Sequence, residues 1–288
     1  FVSIDTISVD GKHIDILINI AERWYIWPVA ILEVQERNFN TWWRETRNFY
    51  RANYGLSLNI ENFRGRKEEL SFYAKFGYTE RYGISYSIPY MTKRQRSGAG
   101  FSFAYSRNHE VPYTTYDNMV IFFNDPTHHL REEIMGKIHF TYRHGIHNSH
   151  YIESKIVNST IDDTLNNYTT NYFIGNQTKI QYFVLDYKFR SDYRDSRAYP
   201  LKGYMYELQA TRLGFGLLNN EKIDVTNFYF TLKTHQKLSN RFYTASSVKI
   251  KFSPNKTQPY YVQRGLGWNS DYVRSYEYYA IDGQRFGL

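Results

Sequence analysis

Cysteine is absent from the 288 residues. That excludes a disulfide framework and thiolate metal sites, and is compatible with many compartments. Long apolar runs are also missing: the longest is Met119-Val120-Ile121-Phe122-Phe123, far short of the ~20 residues that a membrane helix needs. Phe1-Val2-Ser3-Ile4 offers neither a charged leader nor an apolar core of a signal peptide, so the chain is expected to begin inside a longer one. The net charge is +8, yet Lys and Arg are scattered, without a basic tail or an RNA-binding signature. A nucleic-acid partner is not expected.

What the chain has in excess is aromatic side chains: 19% of residues, with 29 Tyr and 20 Phe. Mean hydropathy is nevertheless low, at −0.62. Such a mixture suits strands with one apolar and one polar face, and aromatic girdles at two interfaces. The alternation is explicit. In 68–79, Leu70, Phe72, Ala74, Phe76 and Tyr78 oppose Ser71, Tyr73, Lys75, Gly77 and Thr79. In 178–190, Phe183, Leu185, Tyr187 and Phe189 oppose Tyr182, Val184, Asp186 and Lys188. Similar strands are predicted over 29–36, 54–62, 82–90, 98–107, 132–144, 149–160, 204–213, 224–237 and 241–252. The run 115–123 is assigned to an excursion spanning 108–131, because a further strand would reverse every later one.

A soluble sandwich also alternates, but its strands average ~5–6 residues and its apolar face is a Val, Leu and Ile core. These strands approach the ~9–11 residues that a tilted strand needs to cross a bilayer. Their polar faces mix Lys, Glu, Asp and Arg with Gly and Ser, as a wet lumen would. The reading is all-β: a transmembrane antiparallel β-barrel, whose closure leaves no backbone group unpaired in lipid. Residues 13–22 alternate as one strand of a preceding module, and Pro28, lacking a ladder donor, marks the boundary. The expected division is therefore 1–27 and 28–288.

No Ser-His-Asp spacing, phosphate-cradling loop or paired carboxylate marks an enzyme. His144, His147 and His150 stand three apart around a turn and lack the regular element that would bring them together, so no metal and no cofactor is expected. In 192–203, Asp195 can cap a turn, Pro200 sets φ and Gly203 restarts a strand. The stretch 253–283 is too long and irregular for a tight turn, and it sets Arg274 among aromatic residues. A guanidinium there calls for an anionic or aromatic partner.

The turn Asp192-Tyr193-Arg194-Asp195 through Pro200 and Gly203 resembles the D-x-R-D…P-x-x-G turn of the BamA/TamA superfamily of outer-membrane assembly barrels. Val273-Arg274-Ser275-Tyr276 resembles that family's V-R-G-[FY] motif, with Ser275 where the family has glycine, and Gly267 matches an upstream glycine. Asn53-Tyr54-Gly55 and Asn62-Phe63-Arg64-Gly65 resemble its first hairpin. The resemblance implies a barrel of the 16-strand insertase type, of which 11–12 strands are present, following a periplasmic POTRA-like module. It implies a loop 253–283 that plugs the lumen, with Arg274 held by a carboxylate on a later strand. It further implies a cofactor-free insertase in the bacterial outer membrane, working with that bilayer, unfolded barrel precursors and accessory assembly lipoproteins. Precursors would pair with a lateral-seam strand carrying Val29, Ile31, Glu33 and Gln35. A TamA-like translocation and assembly barrel, or a passive porin-type channel, are the alternatives.

Overall fold

The computed structural model describes residues 2–8, 14–22, 24–34, 42–43, 47, 49, 51–218, 222–255, 258–268 and 279–288. The amino-terminal stretch forms an antiparallel hairpin, β1 (Val2–Ser8) with β2 (Ile14–Ile20). The alternating Ile residues of 14–20 make a strand of the expected kind, and Val2–Ser8 is its partner, which the expected pattern omitted.

The strands β3 (Ile26–Val34), β4 (Ala52–Glu61), β5 (Glu69–Gly77), β6 (Thr79–Ile88) and β7 (Ser97–Asn108) pair in chain order. The chain then leaves the sheet as a separate hairpin, β8 (Glu110–Tyr116) and β9 (Met119–Asn124). It returns as β10 (Arg131–His144), which pairs directly with β7. The sheet continues through β11 (Asn148–Ile161), β12 (Lys179–Asp192), β13 (Gly203–Leu213), β14 (Val225–Lys237), β15 (Tyr243–Phe252) and the short β16 (Arg285–Gly287). All twelve strands form one antiparallel sheet. Eleven of them precede the segment 253–284. Among the described residues β3 and β16 do not meet, so the sheet has two edges. Arg285–Gly287, which the sequence pattern left outside the strands, pairs with β15 as the twelfth.

The first sheet strand begins at Ile26 and runs through Pro28, ahead of the boundary expected there. The physical reason is position: an edge strand needs ladder donors on one side only, so a proline is tolerated in it. The weakly alternating 149–160 becomes a full 14-residue strand, held by complete ladders to β10 and β12.

The two faces of the sheet differ sharply. One is bare and apolar, with Leu56, Phe72, Phe103, Ile138, Ile156, Leu185 and Leu208 all exposed. Soluble monomers rarely expose continuous apolar surface on this scale, so the bare face is the one that lipid would cover. Aromatic rows lie across it at two heights. Near the β5–β6 turn, Tyr54, Phe76, Tyr82 and Tyr105 contact in series at 6.1, 5.4 and 6.4 Å between ring centroids. Toward the opposite strand ends, Phe63, Tyr86 and Phe101 do the same at 6.4 and 5.8 Å. Rings with an apolar body and a polar tip favour the two membrane–water boundaries.

The assignment of faces predicts an asymmetric response to charge. Leu185→Lys and Leu208→Lys are expected to cost roughly 2–4 kcal/mol each if the site lies near mid-bilayer. On the other face Gln209→Lys is expected to be tolerated, because its amide already donates to Asp186 at 2.7 Å and an ammonium can take that carboxylate. Heat-modifiable gel migration after refolding checks this. Equal damage on both faces would refute it.

Candidate functional site: a plugged interior, a turn and a free edge

The inner face is covered by the segments that leave the sheet. Its core comprises Val111, Leu130, Val157, Ile161, Leu165, Tyr172, Phe173, Ile180, Tyr182, Val184, Ile223, Val225 and Tyr260. These come from the inward positions of β11, β12 and β14, from the β8–β9 hairpin, from Leu130 and Ile223 in the connections leading into β10 and β14, from the connection 162–178 with its short 3-10 helix (Asp163–Asn167), and from 258–262. Asp162 starts that helix, its carboxylate accepting from the Thr164 amide at 2.9 Å.

The 258–268 limb is fixed from several directions. The amides of Tyr260 and Tyr261 donate to the carbonyls of Asn171 and Tyr172 at 2.9 and 3.2 Å. The Tyr261 hydroxyl donates to Glu133, and the Tyr260 and Thr115 hydroxyls lie 3.1 Å apart. Burial pushes the Tyr260 hydroxyl up to about 12. The outgoing and returning limbs lie side by side, with the Ile281 amide donating to the Leu266 carbonyl at 2.8 Å. Gly267 sits there at φ +81°, where a Cβ would come within 2.1 Å of the Tyr279 carbonyl oxygen. Only glycine combines that backbone with that approach. The Ala280 amide donates to the Asn118 carbonyl at the tip of the β8–β9 hairpin, at 2.8 Å.

Among the described residues, Arg264 and Arg131 bring two guanidinium cations to this plug. Arg264 is placed over the Trp268 ring at 3.7 Å and near the Tyr260 ring at 5.8 Å. Trp268 in turn donates to Asp282 at 3.0 Å. Burial holds the Arg264 guanidinium below its usual range, and the ring faces supply the attraction that a desolvated cation requires. Arg131 lies over Tyr261 at 5.8 Å and donates to the Tyr172 hydroxyl at 3.4 Å. Lys251, inward on β15, donates to the Arg264 carbonyl at 2.5 Å and to the Gly283 carbonyl at 3.4 Å. One ammonium thus holds both limbs to the wall. Beneath the plug, whose Arg264 and Gly265 reach its lining, the inner wall borders an open cavity of about 640 Å³ lined also by Glu153, Lys155, Asp186, Lys188, Glu207 and Lys249. The plugged end holds the buried aromatic and aliphatic cluster with its cations individually partnered, and the wall toward the other end is lined by exposed charges.

The predicted site residues fall into three separate places. Gly267 belongs to the plug, whereas Val273, Arg274, Ser275 and Tyr276 lie outside the described residues. The turn residues cluster at the opposite ends of the strands. Arg194 grips Asp192 with Nε and Nη2 at 2.8 Å each, and Arg197 approaches the same carboxylate at 3.7 Å. One oxygen of Asp195 accepts from the amides of Ser196, Leu201 and Lys202 at 2.9, 3.0 and 3.2 Å. Those donors hold the Asp195 carboxyl below its usual range. Pro200 lies inside the loop so closed, and Gly203 leaves it at φ +101°, where a Cβ would come within 2.1 Å of the Tyr193 carbonyl oxygen. His147 joins this network through Nδ1, 2.8 Å from the Asp192 carbonyl. His150 instead meets the Tyr187 hydroxyl at 2.9 Å on the bare face, so the three spaced histidines do not converge.

The edge strand β3 carries Val29, Ile31 and Glu33 on one face, opposite Ser57, Gly55 and Asn53 of β4, while Gln35 lies outside the described residues. Glu33 is tied to Lys75 at 2.5 Å and accepts from Asn53 at 3.1 Å. The next outward residue, Leu32, is 85% exposed. The alternation did not single out Arg264, Arg131 or Lys251 as plug residues. Arg264-Gly265 beside Tyr260-Tyr261 was the available signal.

Neither a protein-family model nor a curated protein sequence matches the chain. Solved structures do. BamA from Haemophilus ducreyi lacking POTRA domains 1–3 superposes with a TM-score of 0.58 at 13% identity, covering 100% of this chain and 56% of that one. CdiB from Escherichia coli superposes with a TM-score of 0.57 at 11% identity, covering 99% and 51%. The chain has the fold of the outer-membrane barrels of the BamA and CdiB type, and it spans about half the length of each.

The plug analysis predicts the effect of removing the clamp. Lys251→Met leaves the Arg264 and Gly283 carbonyls without their donor, and a buried group so orphaned costs about 1–3 kcal/mol. Limited proteolysis is expected to cut within 253–284 sooner, while heat-modifiable migration persists. Unchanged cleavage would show that the clamp does not hold the loop.

Proposed function

We propose that this chain is the barrel portion of an outer-membrane insertase that assembles β-barrel proteins without a cofactor. One observation carries the reading: β3 is a long, paired strand on one side and, among the described residues, open on the other. A free edge in lipid presents backbone donors and acceptors that only another strand can satisfy. An unfolded barrel precursor satisfies them by β-augmentation. The template then supplies pairing that the bilayer cannot, and insertion proceeds without an external energy source. The shared fold with BamA supports this reading, and the likeness to CdiB supports a translocation and assembly barrel almost equally. The packed plug weighs against a passive channel, because an open pore needs a wet path through the plugged end.

In this reading the strand ends at the 193–202 turn face the periplasm, and the plugged end faces outward. The β1–β2 hairpin is the end of a periplasmic POTRA-like module, and accessory lipoproteins dock on that side. The 253–284 loop serves as a fixed stop in the lumen, and Arg274 is anchored there.

The test is site-specific crosslinking in cells, using the full gene. Cysteine at Ile31 or Leu32 is expected to capture a stalled barrel precursor. Cysteine at Thr231, inside the paired strand β14, is expected not to. Equal capture at both positions would remove β3 as the template.

A further inference from the structure

The neck of the β8–β9 hairpin brings together three side chains of metal-ligating type from distant parts of the chain. Glu80 lies near the start of β6, His109 follows the last residue of β7, and His129 precedes β10. β6 pairs with β7, and β7 with β10, so the three share one rim. The neck is fixed by the Asp125 amide donating to the His109 carbonyl at 2.9 Å and the Leu130 amide to the Asn108 carbonyl at 2.8 Å. The two imidazoles face each other with ring centroids 4.0 Å apart. One ligand atom from each of Glu80, His109 and His129 lies within 4.8 Å of the others.

The hydrogen bonding leaves the right atoms free. His109 Nδ1 lies 2.9 Å from the His128 carbonyl and 3.2 Å from the Asp125 carbonyl. Both are acceptors only, so Nδ1 carries the proton and the lone pair of the neutral ring sits on Nε2. A backbone carbonyl behind a histidine is the usual support of a metal-ligating ring. His129 Nε2 is buried and makes no well-formed hydrogen bond, its contact with Glu80 Oε1 being stretched to 3.5 Å. A buried polar atom in that condition calls for a water or an ion. The other Glu80 oxygen, Oε2, is held by Arg107 Nε at 2.5 Å, which fixes the carboxylate and leaves Oε1 facing the histidines.

We propose that Glu80, His109 and His129 form a binding site for a divalent transition-metal ion, with Zn²⁺ as its natural type. Two imidazoles and one carboxylate are a zinc donor set, and three protein ligands leave a fourth position for water. Ligands at ~2.0–2.1 Å from a tetrahedral ion stand about 3.4 Å apart, so closing the site takes shifts of roughly an ångström. The Arg107 guanidinium opposes a second cation, which sets a moderate affinity. Binding ties the hairpin neck to β6, and that hairpin touches the plug through Asn118 and Thr115. The ion would staple the cover of the lumen to the barrel rim.

The test uses the full chain refolded in detergent micelles and stripped with a chelator. Calorimetric titration with Zn²⁺ is expected to show one ion per chain. His109→Gln and His129→Gln are each expected to weaken it by at least ~10-fold, and His150→Gln, whose ring meets the Tyr187 hydroxyl on the bare face, to leave it unchanged. Folding of each variant is read from heat-modifiable migration. Wild-type protein loaded with Cu²⁺ is expected to show nitrogen hyperfine structure in its electron paramagnetic resonance spectrum, a readout that needs no variant. Substoichiometric Zn²⁺, equal affinity in all three folded variants, equal loss in His150→Gln, or a Cu²⁺ spectrum without nitrogen coupling would overturn the site.

Discussion

The structure depends on one constraint: a backbone that lies in hydrocarbon must pair every amide and carbonyl with another backbone group. Twelve strands meet it by continuous antiparallel ladders, each passing its register to the next. The strand lengths follow, since a segment must stay paired across the whole apolar band. So does the exile of β8 and β9, which form their own small sheet while β7 pairs directly with β10. The same rule makes the outer side of β3 chemically demanding.

The inner face obeys a different economy. Near the plug it is apolar and aromatic, and the cations there are met by ring faces, hydroxyls and carbonyls rather than by exposed water. Toward the 193–202 turn the wall carries alternating acids and bases around an open cavity. A charge at the plugged end therefore needs a built partner, whereas at the other end solvent and neighbouring charges share the work. That contrast explains why Lys251 bonds two loop carbonyls, and why Asp192 meets arginines at a rim. It also separates the roles of inward lysines: Lys251 on β15 fastens a loop, whereas Lys188 on β12 lines the open cavity.

The period-two pattern made most of the sheet legible, because each strand has one face that must be apolar and one that need not be. Phe183, Leu185 and Tyr187 announced β12 and its facing without any tertiary information. Asp195 could be read as a turn cap, since its partners lie within seven residues along the chain. Local rules failed where a strand gained its partner from outside the pattern. Val2–Ser8 and Arg285–Gly287 are strands because of Ile14–Ile20 and β15, and Pro28 lies inside a strand because that strand is an edge.

The sequence by itself determined the eleven sheet strands that precede 253–284, their facing and the turn chemistry, since these follow from alternation and from hydrogen bonds between near neighbours. Only the tertiary structure decided which loops cover the interior, that Arg264 rests on Trp268, and that Glu80, His109 and His129 share a rim. Those outcomes depend on ladders joining residues tens of positions apart. Such spacing leaves no periodic trace, because the chain carries no record of which face or edge another segment will occupy until the sheet has formed.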